Sequence, residues 1–597
     1  MPAQKYILPH TPPPNGLLFA CFACAAGILD ALLLFGWHDI NPSHLDWLRG
    51  DPAVYQAGWE FLRRSPWTFP PTWIAGLDYP FGVSAAYLDV IPIVAVPLRL
   101  ISGLLPADFQ YLGLYAALCL ILQTWFGLKL LSRFTSDIVF MLIGALFFLN
   151  APILVSRLWG HFSLCSQWLL LAGLYYYFAP IKPRRFLSYV APFMALLAVA
   201  GAITPYIAVM ILAIGTAALF RWRAVIAARG DIGTVTLSTE ALEPPSGRLT
   251  HLENSLAGGL LYLATLIAVA LVAFFVFGFL VFGAHTQFDS GGYTVYSMNL
   301  LGPVIGGNRG PDSNYFNVLP GQGFEGYNYL GIGIILLGAV CLARRPLFVR
   351  EIWTPSVRPI VIFAAMLALL ALSVKITLGP ATLVTIPVPK IIFHALAAFR
   401  SSGRFFWPAH YLLMLGAILG SITTFKSPAW RNAVLALAFL VQYFDTLSLR
   451  VEAIHRAQDR YEDPLEKADW QAIGSNHKHL VILPARQCDL ANTPGGDTDW
   501  PYFARLAARR GMTLNSTHAA RASAASNLYN CVQLPQQVIR GKLASDTAYV
   551  LSDRLVVLAI EHNTTHFCRR VDGFNLCIYN PEMAGKSQLL KLQLVQP

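Results

Sequence analysis

Six acidic residues gather between positions 37 and 107 of this chain: Asp39, Asp46, Asp51, Glu60, Asp78 and Asp89. A carboxylate within hydrogen-bond reach of a hydroxyl can take its proton as a new bond forms, so this segment is where a general base is sought. Asp51 stands in RGDPAVYQAGWEFLRRSPW. Asp followed by Pro opens a helix, because Asp caps well and Pro fits the first helical position, so Asp51 is either a base or a cap. The turns that follow read as amphipathic, as in a helix lying on a membrane surface. Asp89 lies inside the apolar run AAYLDVIPIVAVPL. An ionisable group there is costly and marks a functional acid or a buried acid paired with an arginine.

The matching cations come from three other places. Arg157 and His161, four apart in SRLWGHFSLCSQW, share one face if helical. They face a phosphate or carboxylate, or anchor an interface beside Trp159 and Trp168. Lys390 and His394 precede Arg400 and Arg404, which flank Ser401, Ser402 and Gly403. Two arginines around a small flexible tripeptide can wrap an anion through planar donor forks, the alternative being interfacial snorkelling. Glu325 and Tyr327 in QGFEGYNYLG are candidate ligands for a hydroxyl-rich acceptor or sugar, or Glu325 caps the loop. The sequence holds no Walker loop, dinucleotide fingerprint, HExxH or GxSxG. No metal and no cofactor are expected, and the energy for a reaction comes from an activated substrate.

The elements that must position these groups are apolar. Of 597 residues, 55% are hydrophobic and 13% charged, against about 25% charged in soluble domains. Mean hydropathy is +0.52 and the isoelectric point 9.2. A soluble enzyme, a disordered chain and a nucleic-acid binder are excluded, and the excess of 43 Lys and Arg over 32 Asp and Glu reflects membrane topology. Apolar runs lie near 17–36, 108–131, 138–156, 162–179, 256–283, 329–343, 358–378, 407–425 and 432–449. The long run 186–220 reads as two short helices meeting at Thr204, Pro205 and Tyr206. These make about eleven spans, with no cleavable signal peptide evident.

The run 84–105, with Asp89, Pro92, Pro97 and Arg99, is read as interfacial or re-entrant. With a cytoplasmic N-terminus, 16 basic residues then lie inside and about nine in short outside loops. The polar tail from about 451 falls outside, and it holds Cys488, Cys531, Cys568 and Cys577. An even number in an exported domain suggests two disulfides, the alternative being four reduced thiols; Cys568 and Cys577 flank Asp572 and Gly573, a hairpin-turn pair. The tail reads as a small α/β domain, with strands at 479–484 and 548–560 and helices at 464–474 and 501–511. Asn563, Thr564 and Thr565 match a glycosylation sequon of low specificity.

The fold class expected is therefore a mainly α polytopic membrane protein with a C-terminal extracytoplasmic α/β domain. Residues 1–450 form the membrane domain with a long first outside loop (37–107), and 451–597 the soluble domain. In architecture the chain resembles the GT-C superfamily of polytopic glycosyltransferases. GDPAVYQAGWEFLRRSPW, LDYPFG, YLDVIP, RLWGHFSL, EGYNYLG and FRSSGRFFWP resemble a bacterial family of multispan envelope proteins assigned to that superfamily. The resemblance implies transfer of a sugar from a polyprenyl-phosphate donor to an envelope glycan, lipid or protein acceptor. It implies the outer face of the bacterial inner membrane, with a periplasmic C-terminal domain and the lipid bilayer, not nucleic acid, as surroundings. It implies Asp51, then Asp89, as catalytic base. Arg400 and Arg404 are implied to hold the donor phosphate, with Lys390, His394, Arg157 and His161 as further candidates. No paired-acid motif such as DxD is present. A lipid-linked glycan flippase and a non-catalytic envelope assembly protein are the alternatives.

Overall fold

A computed structural model describes residues 16–181, 186–233, 255–281, 286–287, 292–305, 318–319, 321–345, 350, 353–465, 468–563 and 565–580. The chain forms two compact units. The first comprises Met1–Asn41, Tyr111–Ala273 and Asp289–Arg456; the second comprises Pro42–Gln110, Phe274–Phe288 and Ala457–Pro597. Pro42–Gln110 thus groups with the C-terminal tail.

The first unit is helical, and each of the ten apolar runs contains a helix. Among the described residues, six helices are long and apolar enough to cross a membrane: Gly16–Ile40, Leu112–Leu131, Ile138–Val155, Pro205–Ala227, Leu256–Val276 and Ser402–Thr424. A seventh arises if Pro428–Asp445 and Leu447–Gln458, bent by 47°, count as one span. The expected eleven is not confirmed among the described residues, where other helices are short. Ile332–Arg344 has 13 residues and Arg358–Ala371 has 14, hence about 20 Å each at 1.5 Å per residue. The run 358–378 ends early because residues 375–385 form a hairpin of Lys375–Leu378 and Ala381–Thr385. The break before Pro205 falls as expected, but the helix it opens runs 29 residues, Pro205–Gly233. Gly16–Ile40 and Leu112–Leu131 lie backbone to backbone: a Cβ on Gly27 would sit 2.6 Å from Ile121 Cα, the close approach that small residues permit between membrane helices.

The second unit is built on a five-stranded sheet. Its strands are β1 (His479–Leu483), β2 (Thr513–Leu514), β3 (Thr547–Leu551), β4 (His566–Val571) and β5 (Phe574–Tyr579), in the order β4-β5-β3-β1-β2. β1 pairs parallel to β2 and β3, while β4 and β5 form an antiparallel hairpin. Asp572 and Gly573 turn that hairpin with φ of 49° and 85°, as an Asp-Gly turn requires. Cys568 and Cys577 stand opposite each other and are bonded, and Cys488 is bonded to Cys531. The expected strand 548–560 is corrected: it stops at Leu551, and Asp553–His562 is a helix. Val556, Ala559 and Ile560 are its buried positions, a spacing of three and four that belongs to a helix rather than a strand.

Residues from Pro42–Gln110 complete this unit. Leu77 pairs in parallel with Leu514, extending the sheet. The helix Asp51–Arg64 is not the amphipathic surface helix expected, because every residue from Pro52 to Leu62 is buried. Glu60 inside it is paired with Arg64 and, at 3.3 Å, with Arg509. The longest helix in the run 84–105 is the nine-residue Pro92–Leu100, about 14 Å long and too short to span.

Candidate functional site

Among the described residues of the first unit, a buried carboxylate collects two arginines and a histidine. Glu325 Oε2 accepts from Arg157 Nη1 at 3.0 Å, from Arg404 Nε at 3.0 Å and from Arg404 Nη2 at 2.7 Å. Its other oxygen lies 3.1 Å from His161 Nε2. Arg157 is 1% exposed and Glu325 5%. Burial by itself pushes a carboxylate's pKa up, but Arg404, Arg157 and His161 outweigh it and hold Glu325 well below the usual carboxylate range. Two guanidinium groups on one carboxylate leave a net charge of +1 before His161 is counted. Arg157 Nε is buried with no hydrogen-bond partner among the described residues.

Local sequence explains how these residues meet. Arg157 and His161 do not share a helix: the helix Pro152–Val155 ends before them and a 3₁₀ turn, Phe162–Cys165, follows. The intervening turn aims both at Glu325. The glycines of EGYNYLG and FRSSGRFFWP permit the second approach. A Cβ on Gly403 would lie 2.7 Å from Gly326 Cα, and one on Gly326 would lie 2.0 Å from Ser297 O. Asn328 ties the two loops by donating to the carbonyls of Gly326 (3.0 Å) and Gly403 (2.9 Å). Gly403 therefore serves close backbone packing that brings Arg404 to Glu325, rather than a flexible wrap around an anion. Arg404 also lies over the Tyr206 ring at 4.6 Å.

The other expected residues go elsewhere. Arg400 points to the Tyr296 ring, 5.8 Å from its centroid. Lys390 and His394 are exposed on the short helix Lys390–Ala397, where His394 Nδ1 lies 2.7 Å from the Lys390 carbonyl. Tyr327 is buried in a hydrophobic cluster with Val155, Tyr329 and Leu449. Glu325, read from sequence as an acceptor ligand or loop cap, is the counter-ion of the arginines.

Asp51 and Asp89 belong to the second unit. Asp51 is the first residue of its helix, and Gly50 occupies the N-cap position before it. Asp89 adopts a left-handed conformation (φ 54°) after the 3₁₀ turn Ala85–Leu88 and receives a hydrogen bond from Tyr55 Oη at 3.4 Å. Tyr55 is one turn after Asp51 on the same side of the helix, so both acids attach to one element. Asp89 is partly exposed.

Two charged groups went unread in the sequence. Arg450, 2% exposed, donates to Asn150 Oδ1 at 2.9 and 2.5 Å and to Asp30 Oδ1 at 2.6 Å. Asp30 lies within the apolar helix Gly16–Ile40, so the rule that singled out Asp89 applied to it equally. Asn150 ends the helix Ile138–Leu149, just before the turn that carries Arg157, and Leu449, beside Arg450, packs on Tyr327.

Residues 24–447 match the family model described as "Domain of unknown function (DUF6311)", and residues 469–579 match the "DUF6311 C-terminal domain". The chain belongs to this family. No curated protein matches it. Among solved structures, ArnT from Cupriavidus metallidurans in the apo state matches over 95% of this chain and 98% of its own, with 10% identity and a TM-score of 0.41. The same protein bound to undecaprenyl phosphate matches over 96% and 100%, with 12% identity and a TM-score of 0.39. Likeness at these scores carries no argument about fold or activity.

Proposed function

We propose that this DUF6311 member is a GT-C-type membrane glycosyltransferase. It moves a sugar from a polyprenyl-phosphate donor to an envelope glycan, lipid or protein on the outer face of the bacterial inner membrane. The observation that carries the reading is the Arg157–Glu325–Arg404–His161 cluster. It is a preorganised set of donors with surplus positive charge and an unpartnered guanidinium N–H, in a unit of apolar helices. A lipid phosphate leaving group gains negative charge as the glycosidic bond breaks, and fixed donors in a water-poor site stabilise that charge. The apolar tail of such a donor suits lipid-facing helices. The resemblance noted in the motifs supports the same reading.

Asp51 is the proposed base, with Asp89 second. A carboxylate takes the acceptor hydroxyl's proton as the oxygen attacks the anomeric carbon, and the sugar–phosphate bond breaks with its electrons on the phosphate. The two disulfides of the second unit support an oxidising compartment for it, and with it an N-terminus in the cytoplasm.

The test incubates the purified full chain in lipid with a panel of polyprenyl-phosphate sugars and an envelope extract, and follows polyprenyl phosphate by mass spectrometry. Wild type releases it; Asp51→Asn and Arg404→Ala do not. No release from any donor by folded protein overturns the reading in favour of transport or assembly. Full activity in Asp51→Asn removes that residue as base.

A further inference from the structure

We propose that residues 374–397 form a flap inserted in the bilayer surface, with anionic lipid as its occupant. Residues 380–387, PATLVTIP, are all exposed. Their only polar side chains are two threonines, and the strand Ala381–Thr385 has no covered face. Leu383 is 55% exposed, and Ile391 and Ile392 on the following helix are 80% and 47% exposed. In water such a surface is a liability; in a leaflet it is a gain of about 25 cal/mol per Å² buried. The cations Lys375 and Lys390 lie on the same segment, and no acidic residue occurs between Glu351 and Asp445. An apolar face bordered by cations and free of acids is complementary to an anionic lipid surface.

The base of the flap is rigid while its tip is bare. Val374 and Ala397 pack with Tyr293. Thr377 Oγ1 accepts from Asn299 Nδ2 at 3.0 Å and from Gln322 Nε2 at 2.8 Å. Gly379 is held through both its N–H and its carbonyl by the Asn299 side chain. Gln322 is three residues from Glu325 on the same loop. Anchoring the tip in lipid therefore fixes the loop that carries the buried carboxylate, through one shared hydrogen-bond network.

The test uses the full chain with Cys21→Ala and Cys24→Ala, because those two thiols are exposed. Leu383→Cys or Ile391→Cys is labelled with a nitroxide and reconstituted in phosphatidylcholine vesicles with or without phosphatidylglycerol. Power-saturation EPR compares collision with oxygen and with a water-soluble nickel chelate. The proposal expects oxygen to dominate several-fold at both sites, more so with phosphatidylglycerol. Lys375→Gln with Lys390→Gln should abolish that lipid-dependent difference. Dominant nickel collisions, or spin–spin broadening from a second copy, overturn insertion. Equal depth in both lipids, or an unchanged difference in the double variant, overturns the role of anionic lipid.

Discussion

Asp78 makes the second unit's stability fall as pH rises. Its side chain is fully buried, and only Oδ1 is served: Ser526 Oγ donates at 2.6 Å, and Asn530 Nδ2 and Gln487 Nε2 at 3.3 Å each. Oδ2 has no partner among the described residues. Burial raises the pKa from 3.8 to about 6 against the opposing Ser526 and Asn530 hydrogen bonds. The folded group therefore holds its proton more tightly than the unfolded one. Stability is gained as pH falls through 6 and levels off below 3.8; above 6 the ionised group costs about 3 kcal/mol relative to an ordinary carboxyl. Between pH 7.5 and pH 5 the linkage gives a gain of about 1.4 kcal/mol, a tenfold change in the opening equilibrium. Hydrogen exchange by mass spectrometry, corrected for intrinsic chemistry, reads this on peptides covering 74–84 and 523–534. Protection should be about tenfold greater at pH 5 in wild type, and this difference should vanish in Asp78→Asn, which keeps Oδ1 but cannot titrate. Protection that is flat or rises with pH in wild type, or a slope that survives in the variant, refutes the reasoning.

Breaking the buried Asp30–Arg450 pair leaves one charge uncompensated, so Arg450→Met should cost about 3–5 kcal/mol. Adding Asp30→Asn should recover part of this loss, as a double-mutant cycle of thermal unfolding would show. The two disulfides close loops of 43 and 9 residues in sequence separation. Loop-closure entropy makes loss of Cys488–Cys531 the costlier, about 4 against about 2.6 kcal/mol. Paired Cys→Ala variants compared by denaturant unfolding of the full chain check the order.

What was legible in sequence was whatever depends on local pattern. Apolar runs gave the helices because span-length hydrophobicity is a property of neighbours, and Asp572–Gly573 gave the hairpin because turn chemistry is local. The buried helix Asp51–Arg64 was misread for the converse reason. Its Glu60 looks like a solvated face until Arg509, almost 450 residues away, neutralises it. Arg157, His161, Glu325 and Arg404 were each singled out, but their convergence was invisible, since it rests on Gly326 and Gly403 packing backbone to backbone across 77 residues. Arg450 was missed because its partners lie on two other helices.

Glu325 changes what the proposed phosphate site selects. Without it, two buried guanidinium groups would call for two negative charges; with it they call for one. The donor in the proposed reaction is a phosphodiester, which carries one charge, whereas the released lipid monophosphate carries about −1.5 to −2 near pH 7. The carboxylate thus matches the site to the donor and weakens its hold on the product, which aids release. Glu325→Gln should reverse this order. The variant should lose about 3–5 kcal/mol of stability, because two arginines are left unbalanced, and regain more of it with a polyprenyl monophosphate than with the phosphodiester. Ligand-dependent melting shifts compare the two lipids on wild type and variant. A wild type stabilised more by the monoester, with no change of order in Glu325→Gln, refutes the charge-matching role and leaves Glu325 a structural counter-ion.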